Sequence, residues 1–146
     1  MTVVDTSAVV DFLLGAGAAA QVEALMSSEG QLAAPDLLVF EVLAVLRREA
    51  HRGEVSDVRA AAAVHDLGDL PVELFPSLVL RERAWALRGN FTAADGLFIA
   101  LAEQLHEPLA TKDRALCAEV GKHAEVETLD LGPGSPGDLA DEADSP

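Results

Sequence analysis

The sequence predicts an α/β domain in which helices cover both faces of a mainly parallel β-sheet. Short runs of apolar and β-branched residues alternate along the chain with longer segments of helical character. Successive parallel strands need crossover connections, and strands that are buried on both faces are apolar runs of this kind. The length of 146 residues suits one domain with a core of its own.

Cap residues and turn residues set the expected order of the elements. The predicted strands cover residues 2–5, 31–34, 72–75, 108–111 and 125–131. Helices are predicted from residue 8, over 18–27, 37–52 and 56–67, after Ser77 through Trp85 and Arg88, and over 93–105 and 113–121. Thr6, Ser7, Asp36 and Ser77 are expected to cap the helices that follow them, because short polar side chains accept hydrogen bonds from first-turn N–H groups. Trp85 is expected in the core.

The composition changes at Gly132. From there to Pro146 the chain consists mostly of Gly, Pro, Ser, Asp and Glu, and Leu139 is its only large apolar residue. So little apolar surface cannot offset the entropy lost on ordering. We therefore predict a folded domain over residues 1–131 and a disordered acidic tail over residues 132–146.

The charge balance limits the classes of function. A formal net charge of −15, from 25 acidic residues against 10 Lys and Arg, argues against broad electrostatic adhesion to nucleic acid or to an anionic membrane. If RNA is the substrate, cations must offset the repulsion. The N-terminus lacks the pattern of a secretory signal, and the apolar runs fall short of the roughly 20 residues that a membrane-spanning helix needs. A cytoplasmic protein is expected.

Four acidic residues stand where a carboxylate is informative. Asp5 follows the first predicted strand and Asp113 follows the fourth, so both are expected at the carboxyl edge of the sheet, where parallel sheets bind ligands. Glu41 interrupts a helix that is apolar nearly all round, and such helices are usually buried. Asp95 lies in the first turn of another largely apolar helix. A buried carboxylate needs a cation or strong hydrogen-bond donors.

Each acid also has a purely structural explanation. Asp5 and Asp113 could cap the helices that follow, and Asp95 with Thr92 resembles a capping box. Glu41 could pair with a buried arginine. The prediction of a site therefore depends on the combination, in which two acids end strands at one sheet edge and two lie on helices that could pack beside them.

A cluster of four carboxylates predicts a bound divalent cation. Two carboxylates about 4 Å apart repel by roughly 4 kcal/mol at an effective dielectric constant near 20. Oxygen ligands favour hard ions, so Mg²⁺ or Mn²⁺ is expected, with coordination positions left for phosphate oxygens. Zinc is disfavoured because the histidines show no ligand spacing. They are His51, His65, His106 and His123.

Four segments of the chain together resemble the PIN-domain nucleases. They are Val3-Val4-Asp5-Thr6-Ser7-Ala8, Glu41-Val42-Leu43 with Arg47-Arg48, Thr92-Ala93-Ala94-Asp95 with Ala100-Leu101-Ala102, and Leu109-Ala110-Thr111-Lys112-Asp113. Their order, their spacing and the chain length are similar to those of the VapC toxins of prokaryotic toxin–antitoxin pairs. The resemblance extends from residue 1 to about residue 131, and the ordered set is specific although each motif alone is weak.

The resemblance implies a three-layer α/β/α sandwich with a sheet of about four or five strands. It also implies an endoribonuclease that depends on Mg²⁺ or Mn²⁺, forms a homodimer and is inhibited by a VapB-like antitoxin. Carried over by position, the acidic quartet is Asp5, Glu41, Asp95 and Asp113, with Asp5 and Asp95 as the chief metal ligands. Thr6 and Thr111 are expected to support the site.

The sequence departs from the family pattern near the third acid. Family members often carry an aromatic residue shortly before the third acid, whereas here the aromatic residue, Phe91, stands four positions before Asp95. Directly after Asp95, Gly96 replaces the small helix-forming residue that is more usual in the family. Neither change removes a ligand. Basic residues that could guide an RNA backbone are Arg47, Arg48, Arg52, Arg88, Lys112 and Arg114, although solvated helix faces explain most of them equally well.

Two other functions remain as alternatives. One is a catalytically idle PIN-like module that binds protein or RNA, which the presence of all four acids disfavours. The other is a phosphoacceptor receiver domain, which also gathers acids and a lysine at a sheet edge. A receiver needs an Asp at the end of its central strand, whereas the segment 72–75 has none there, and Glu41 would remain unexplained.

Overall fold

A computed structural model describes residues 1–132 and contains a five-stranded parallel sheet with helices between the strands. The strands are β1 (Thr2–Val4), β2 (Leu32–Pro35), β3 (Val72–Phe75), β4 (Leu109–Thr111) and β5 (Thr128–Asp130). The helices are α1 (Thr6–Leu14), α2 (Ala19–Glu29), α3 (Leu37–His51), α4 (Asp57–Leu67), α5 (Arg81–Ala86), α6 (Ala93–Leu105) and α7 (Arg114–His123), and a 3₁₀ turn at Ser77–Leu80 precedes α5. Apart from Gly132, the predicted acidic tail lies outside the described residues.

The strand order is β3-β2-β1-β4-β5, and every neighbouring pair is parallel. Parallel crossovers are almost always right-handed, so the connections from β1 through β3 and those from β3 through β5 lie on opposite faces. Accordingly, α1 packs against α2, α3 and α4, while α5 packs against α6. The predicted α/β/α sandwich with a sheet of about four or five strands is confirmed, and the sheet has five.

The direction of the crossovers reverses at the central strand β1. The connection after β1 leads towards β2, whereas β4 lies on its other side, with Val3 paired to Ala33 and to Leu109. Two loops therefore diverge at the carboxyl edge between β1 and β4. Open parallel sheets bind ligands in the crevice at such a point.

Helix α3 is buried on one face only, which corrects the expectation that it is buried all round. Leu38 and Val42 are inaccessible, but Phe40 is 68% exposed and Val39 and Leu43 are 40% and 44% exposed. The reason is that α1 and α4 cover only part of the helix surface. Glu41 is consequently half-buried rather than enclosed.

Several expected caps and one expected core residue differ in the structure. Asp5 caps α1, so that this helix begins at Thr6. Asp36 makes no cap bond to α3, because its Oδ1 accepts hydrogen bonds from the backbone N–H and hydroxyl of Ser77, at 3.1 and 2.5 Å. Trp85 is 68% exposed instead of buried, and α5 ends at Ala86, before Arg88.

Within residues 1–132, no single helix is both long enough and apolar enough to cross a membrane. Helices α1 and α2 reach that length and apolarity only as a pair bent by 102°.

Candidate active site

All four predicted acids line one cleft at the carboxyl edge of the sheet. The cleft has a volume of about 610 Å³ and lies where β1 and β4 end. Its walls come from α1, α3, α6 and α7 together with the loops before α4 and after β4. Among the described residues it is lined by the acids Asp5, Asp11, Glu41, Glu49, Glu54, Asp95 and Asp113, the bases Arg48 and Lys112, and the apolar or hydroxyl side chains of Thr6, Ser7, Val10, Leu14, Val45, Val55, Phe98 and Leu116.

Asp5 lies at the end of β1 and its carboxylate is held by three donors. Oδ1 accepts hydrogen bonds from the backbone N–H of Ala8 and the hydroxyl of Ser7, both at 3.1 Å, and Oδ2 accepts one from the hydroxyl of Thr111. Desolvation by burial nevertheless raises the pKa of Asp5 above its ordinary value, because these hydrogen bonds oppose the effect only in part. The nearby charge of Asp95 adds to the increase.

Thr111 connects two of the acids. It is fully buried at the end of β4, where its hydroxyl donates to Asp5 and accepts a hydrogen bond from the backbone N–H of Asp113 at 3.1 Å. Asp113 in turn caps α7, and its Oδ1 accepts from the N–H of Leu116 at 3.0 Å. One hydroxyl therefore fixes the separation of the strand ends that carry Asp5 and Asp113.

Glu41 is oriented by a hydroxyl in the same way. The Thr6 hydroxyl donates to Glu41 Oε1 at 2.7 Å, which joins the first turn of α1 to α3. This hydrogen bond helps to compensate the Glu41 carboxylate for its partial burial on a largely apolar helix. Its partner is a threonine beside Asp5 and not the buried arginine that was the competing explanation.

Asp95 lies in the first turn of α6, and its own N–H donates to Thr92 Oγ1 at 3.1 Å. Burial raises the pKa of Asp95, the Thr92 hydroxyl opposes this, and the charge of Asp113 raises it further. The residue beside it is a glycine because α5 passes close by. A Cβ on Gly96 would lie 3.1 Å from the carbonyl oxygen of Ala84, which explains the departure from the family pattern noted in the sequence.

The acids therefore raise the cost of ionising one another. The charge of Asp113 raises the pKa of Asp95, and the charge of Asp95 raises the pKa of Asp5. The ionised form of each carboxyl is therefore less stable when its neighbour is charged. A bound cation would offset this mutual repulsion.

The carboxylate and hydroxyl oxygens of the cleft suit a hard ion that keeps part of its water shell, rather than an ion that protein ligands surround completely. Within residues 1–132, no group of three or more His, Cys, Asp or Glu side chains is arranged so that it could hold a metal ion by itself. Mg²⁺ is commonly held by one or two carboxylates and keeps several water molecules. The carboxylates and hydroxyls of the open cleft fit that mode, and they do not fit the closed nitrogen and sulfur sites of zinc.

Two of the six basic residues considered for RNA contacts line the cleft, namely Arg48 and Lys112. Lys112 Nζ lies 2.7 Å from Asp11 Oδ2, and Arg48 Nε lies 3.5 Å from Glu49 Oε1. The other four lie outside the lining of the cleft: Arg47 is exposed on α3, Arg52 approaches Glu49, Arg88 stacks on the Trp85 ring at 4.5 Å, and Arg114 bonds to Asp130 at 3.0 Å.

The sequence alone did not identify four polar residues of the cleft, which are Ser7, Asp11, Glu49 and Glu54. Ser7 could have been found, since it directly follows the strand acid and its neighbour. Asp11 and Glu49 resemble ordinary polar residues on the outer face of a helix. Only the fold brings them to the walls of the cleft.

Comparison with known proteins identifies the family. Residues 2–122 match the model of the PIN domain. The chain is 42% identical to Ribonuclease VapC1 of Mycobacterium tuberculosis over 128 residues, which cover 87% of this chain and 96% of that protein. It is 36% identical to Ribonuclease VapC12 of the same species over 129 residues, which cover 88% and 99%.

A solved structure supports the same fold. The crystal structure of PAE2754 from Pyrobaculum aerophilum matches with a TM-score of 0.65 and 24% identity, over 89% of this chain and 88% of that one. The resemblance predicted from the four motifs is thus confirmed. The chain belongs to the PIN domain family, and its relatives include ribonucleases of the VapC kind.

Proposed function

We propose that the chain is the toxin of a toxin–antitoxin pair, an endoribonuclease that hydrolyses RNA phosphodiester bonds with Mg²⁺ or Mn²⁺. The observation that carries this proposal is that Asp5, Glu41, Asp95 and Asp113, from four separate segments, line one cleft. The relatives named as VapC ribonucleases support the substrate class.

In this proposal Asp5 and Asp95 are the chief direct metal ligands, and Glu41 and Asp113 position the ion or the attacking water. A bound ion supplies an activated water and neutralises charge on the phosphate. Thr111 fixes the orientation of the Asp5 carboxylate, and Thr6 fixes that of Glu41. Hydrogen bonds of this kind to ligating carboxylates tune a metal site from its outer shell.

RNA must approach a cleft whose described lining contains seven acidic and two basic residues. Metal ions would offset this repulsion at the acids, and Lys112 and Arg48 are the basic side chains placed to meet phosphate oxygens. Arg47, Arg52, Arg88 and Arg114 would act at most on RNA that extends beyond the cleft.

The proposed inhibitor is a VapB-like antitoxin. The cleft combines acids with an apolar wall that includes Val10, Leu14, Val45 and Phe98. An amphipathic segment could pack on this wall and place a basic side chain over the carboxylates. Co-expression with the product of the neighbouring gene tests this, and repeated recovery of the chain alone would count against it.

The proposed homodimer is separate from the site. Exposed apolar side chains lie on α3 and between β3 and α5, and they include Phe40 at 68%, Leu78 at 71% and Val79 at 61% exposure. Exposed apolar patches commonly mark protein interfaces. Sedimentation equilibrium tests the expectation, and a monomer at micromolar concentration would contradict it.

The activity is tested on mixed cellular RNA with Mg²⁺, Mn²⁺ or a chelator. The wild type is expected to cleave with either ion and not with the chelator, and Asp5→Asn and Asp95→Asn are expected to be inactive. Glu103→Gln is the matched control, since it changes an acid on α6 outside the cleft. Equal cleavage by all four proteins would assign the activity to a contaminant.

The alternative of an idle PIN-like binding module makes the opposite prediction. It expects RNA or protein binding without cleavage under any metal condition. The receiver-domain alternative is set aside because residues 2–122 match the PIN domain.

A further inference from the structure

Asp11 lies on the wall of the cleft, outside the acidic quartet. Its side chain is 15% exposed, and its Oδ2 accepts hydrogen bonds from Lys112 Nζ at 2.7 Å and from the backbone N–H of Ala18 at 3.0 Å. The first contact joins α1 to the loop between β4 and α7, and the second joins α1 to the start of α2. One carboxylate thus fixes Lys112 relative to the helix that Asp5 caps.

Lys112 stands between two residues of the proposed active centre. It follows Thr111, which bonds to Asp5, and precedes Asp113. An ammonium group has three N–H donors, so its bond to Asp11 leaves donors for a phosphate oxygen. The side chain is 40% exposed and therefore reachable. Without a partner, a lysine side chain would lose considerable rotamer freedom when it bound a phosphate.

Gly17 provides the space for Asp11. Its φ is +52°, and a Cβ at this position would overlap the Asp11 carboxylate. Gly15, two residues earlier, also has a positive φ of +65°, but the nearest atom to its Cβ would be Arg59 Nη2 at 3.8 Å. The two glycines therefore share the backbone requirement, and only Gly17 is also required by the position of Asp11.

We propose that Asp11 is a positioning residue that holds the Lys112 ammonium in the cleft as the contact for an RNA phosphate. The inference rests on the proposed cleavage of RNA. Charge alone predicts the opposite effect, because Asp11→Asn removes a negative charge from an acidic cleft and would strengthen RNA binding. The sign of the change in affinity therefore separates positioning from simple repulsion.

Steady-state cleavage of a single-stranded RNA gives the first test. Asp11→Asn is expected to raise KM about 3- to 10-fold, the scale of the net contribution of one ordinary hydrogen bond, and to leave kcat nearly unchanged. Glu54→Gln is the matched control, because it removes the same charge from the lining of the same cleft. Its KM is expected to stay the same or to fall.

A double-mutant cycle gives the second test. Lys112→Met is expected to raise KM and to reduce the slope of log affinity against log salt by about 0.7, the value for one phosphate contact on single-stranded RNA. In that background Asp11→Asn is expected not to raise KM any further, because the Asp11–Lys112 contact is already absent, and the loss of negative charge can only keep KM the same or lower it. Gly17→Ala is expected to behave like Asp11→Asn, whereas Gly15→Ala keeps the wild-type KM. This glycine pair carries the test if Asp11→Asn does not fold.

Binding of a fluorescent RNA analogue that resists cleavage, to protein that keeps the acidic quartet intact and with Mg²⁺ present, separates this inference from the proposed function. Weaker binding after Asp11→Asn supports it. Unchanged or tighter binding, or an equal loss with and without Lys112, overturns it and leaves the proposed function standing. Absence of RNA binding by every protein, including the wild type, overturns both.

Discussion

The two ends of helix α6 carry acids in opposite electrostatic settings. Near its last turn, Glu103 accepts two hydrogen bonds of 2.7 Å from Arg83, and this pairing raises the pKa of the guanidinium. In its first turn, Asp95 faces the cleft, where burial and then the charge of Asp113 raise the pKa of its carboxyl. The pairing with Glu103 favours the charged guanidinium of Arg83, whereas the surroundings of Asp95 disfavour the charged form of its carboxyl.

The difference separates a structural charge from a functional one. In the Arg83–Glu103 pair the positive and negative charges offset each other. The pair lies on the surface, where ion pairs add little to stability. The carboxylates of the cleft act on one another instead, and the hydroxyl groups that hold them add no positive charge. An acid in a cleft whose pKa is shifted by burial and by a neighbouring charge marks a candidate functional site, because binding and catalytic groups are concentrated in such surroundings.

The largest contrast between the two ends is expected in catalysis. Asp95→Asn is expected to reduce kcat/KM by more than about 100-fold, because it removes a direct ligand and loss of an outer-shell partner alone costs 10–100-fold. Glu103→Gln is expected to retain wild-type cleavage. The measurement is cleavage of a defined RNA with Mg²⁺, and similar losses in both variants would remove the distinction.

A second contrast concerns the two threonines that orient the acids. Thr111→Val is expected to reduce kcat/KM by about 10–100-fold, since it removes one of the three hydrogen bonds that hold the Asp5 carboxylate and the bridge to Asp113. Thr6→Val affects Glu41 alone and is expected to cost less. Thr92→Val provides the comparison at α6, where the hydroxyl caps the helix. A larger loss from Thr6→Val than from Thr111→Val would contradict the central position of Thr111.

Much of this organisation could be predicted from the sequence because it is local. Apolar runs located the strands β1 and β4, and the residues directly after a strand end had to lie at one sheet edge, which placed Asp5 and Asp113 together. Glu41 was conspicuous because its neighbours on the helix are apolar.

Features that depend on distant partners could not be predicted. The Asp11–Lys112 contact joins residues 101 positions apart, and nothing near Asp11 indicates it. The exposure of Trp85 and of one face of α3 depends on which helices cover them. Periodicity shows that a face is apolar but does not show what packs against it.

A pH-dependent difference in stability is expected at the cleft end of α6 in metal-free protein. The folded-state pKa of Asp95 is raised above its ordinary value of 3.8, so folding favours the protonated carboxyl. That contribution is present below pH 3.8 and is lost as the pH rises through the raised pKa. Asp95→Asn, which cannot ionise, is therefore expected to have a higher Tm than the wild type at neutral pH and no such advantage below pH 3.8.

Thermal melts with a chelator at several pH values measure this difference. Asp5→Asn is expected to change the Tm in the same direction, for the same reason. Glu103→Gln serves as the control and is expected to show no gain at neutral pH. A lower Tm for both cleft variants at neutral pH would show that the acids do not destabilise the metal-free fold.

The smallest effect is expected at the far end of the helix. Glu103→Gln is expected to lower the free energy of unfolding by about 0.5 kcal/mol, the usual scale for an exposed ion pair. The loss is expected to shrink at 1 M salt because surface charges are screened. Urea unfolding of the wild type, Arg83→Met, Glu103→Gln and the double variant measures the coupling, and a coupling of several kcal/mol would contradict a purely surface role.

The proposed function requires that the carboxylates of the cleft hold a divalent cation. The most direct test is to measure the affinity of the RNA-free protein for Mn²⁺ by calorimetry or electron paramagnetic resonance. The wild type and Glu103→Gln are expected to bind the ion with the same affinity, and Asp5→Asn and Asp95→Asn are expected to bind it at least about 10-fold more weakly. Equal Mn²⁺ affinity in all four proteins would show that these carboxylates do not hold the metal.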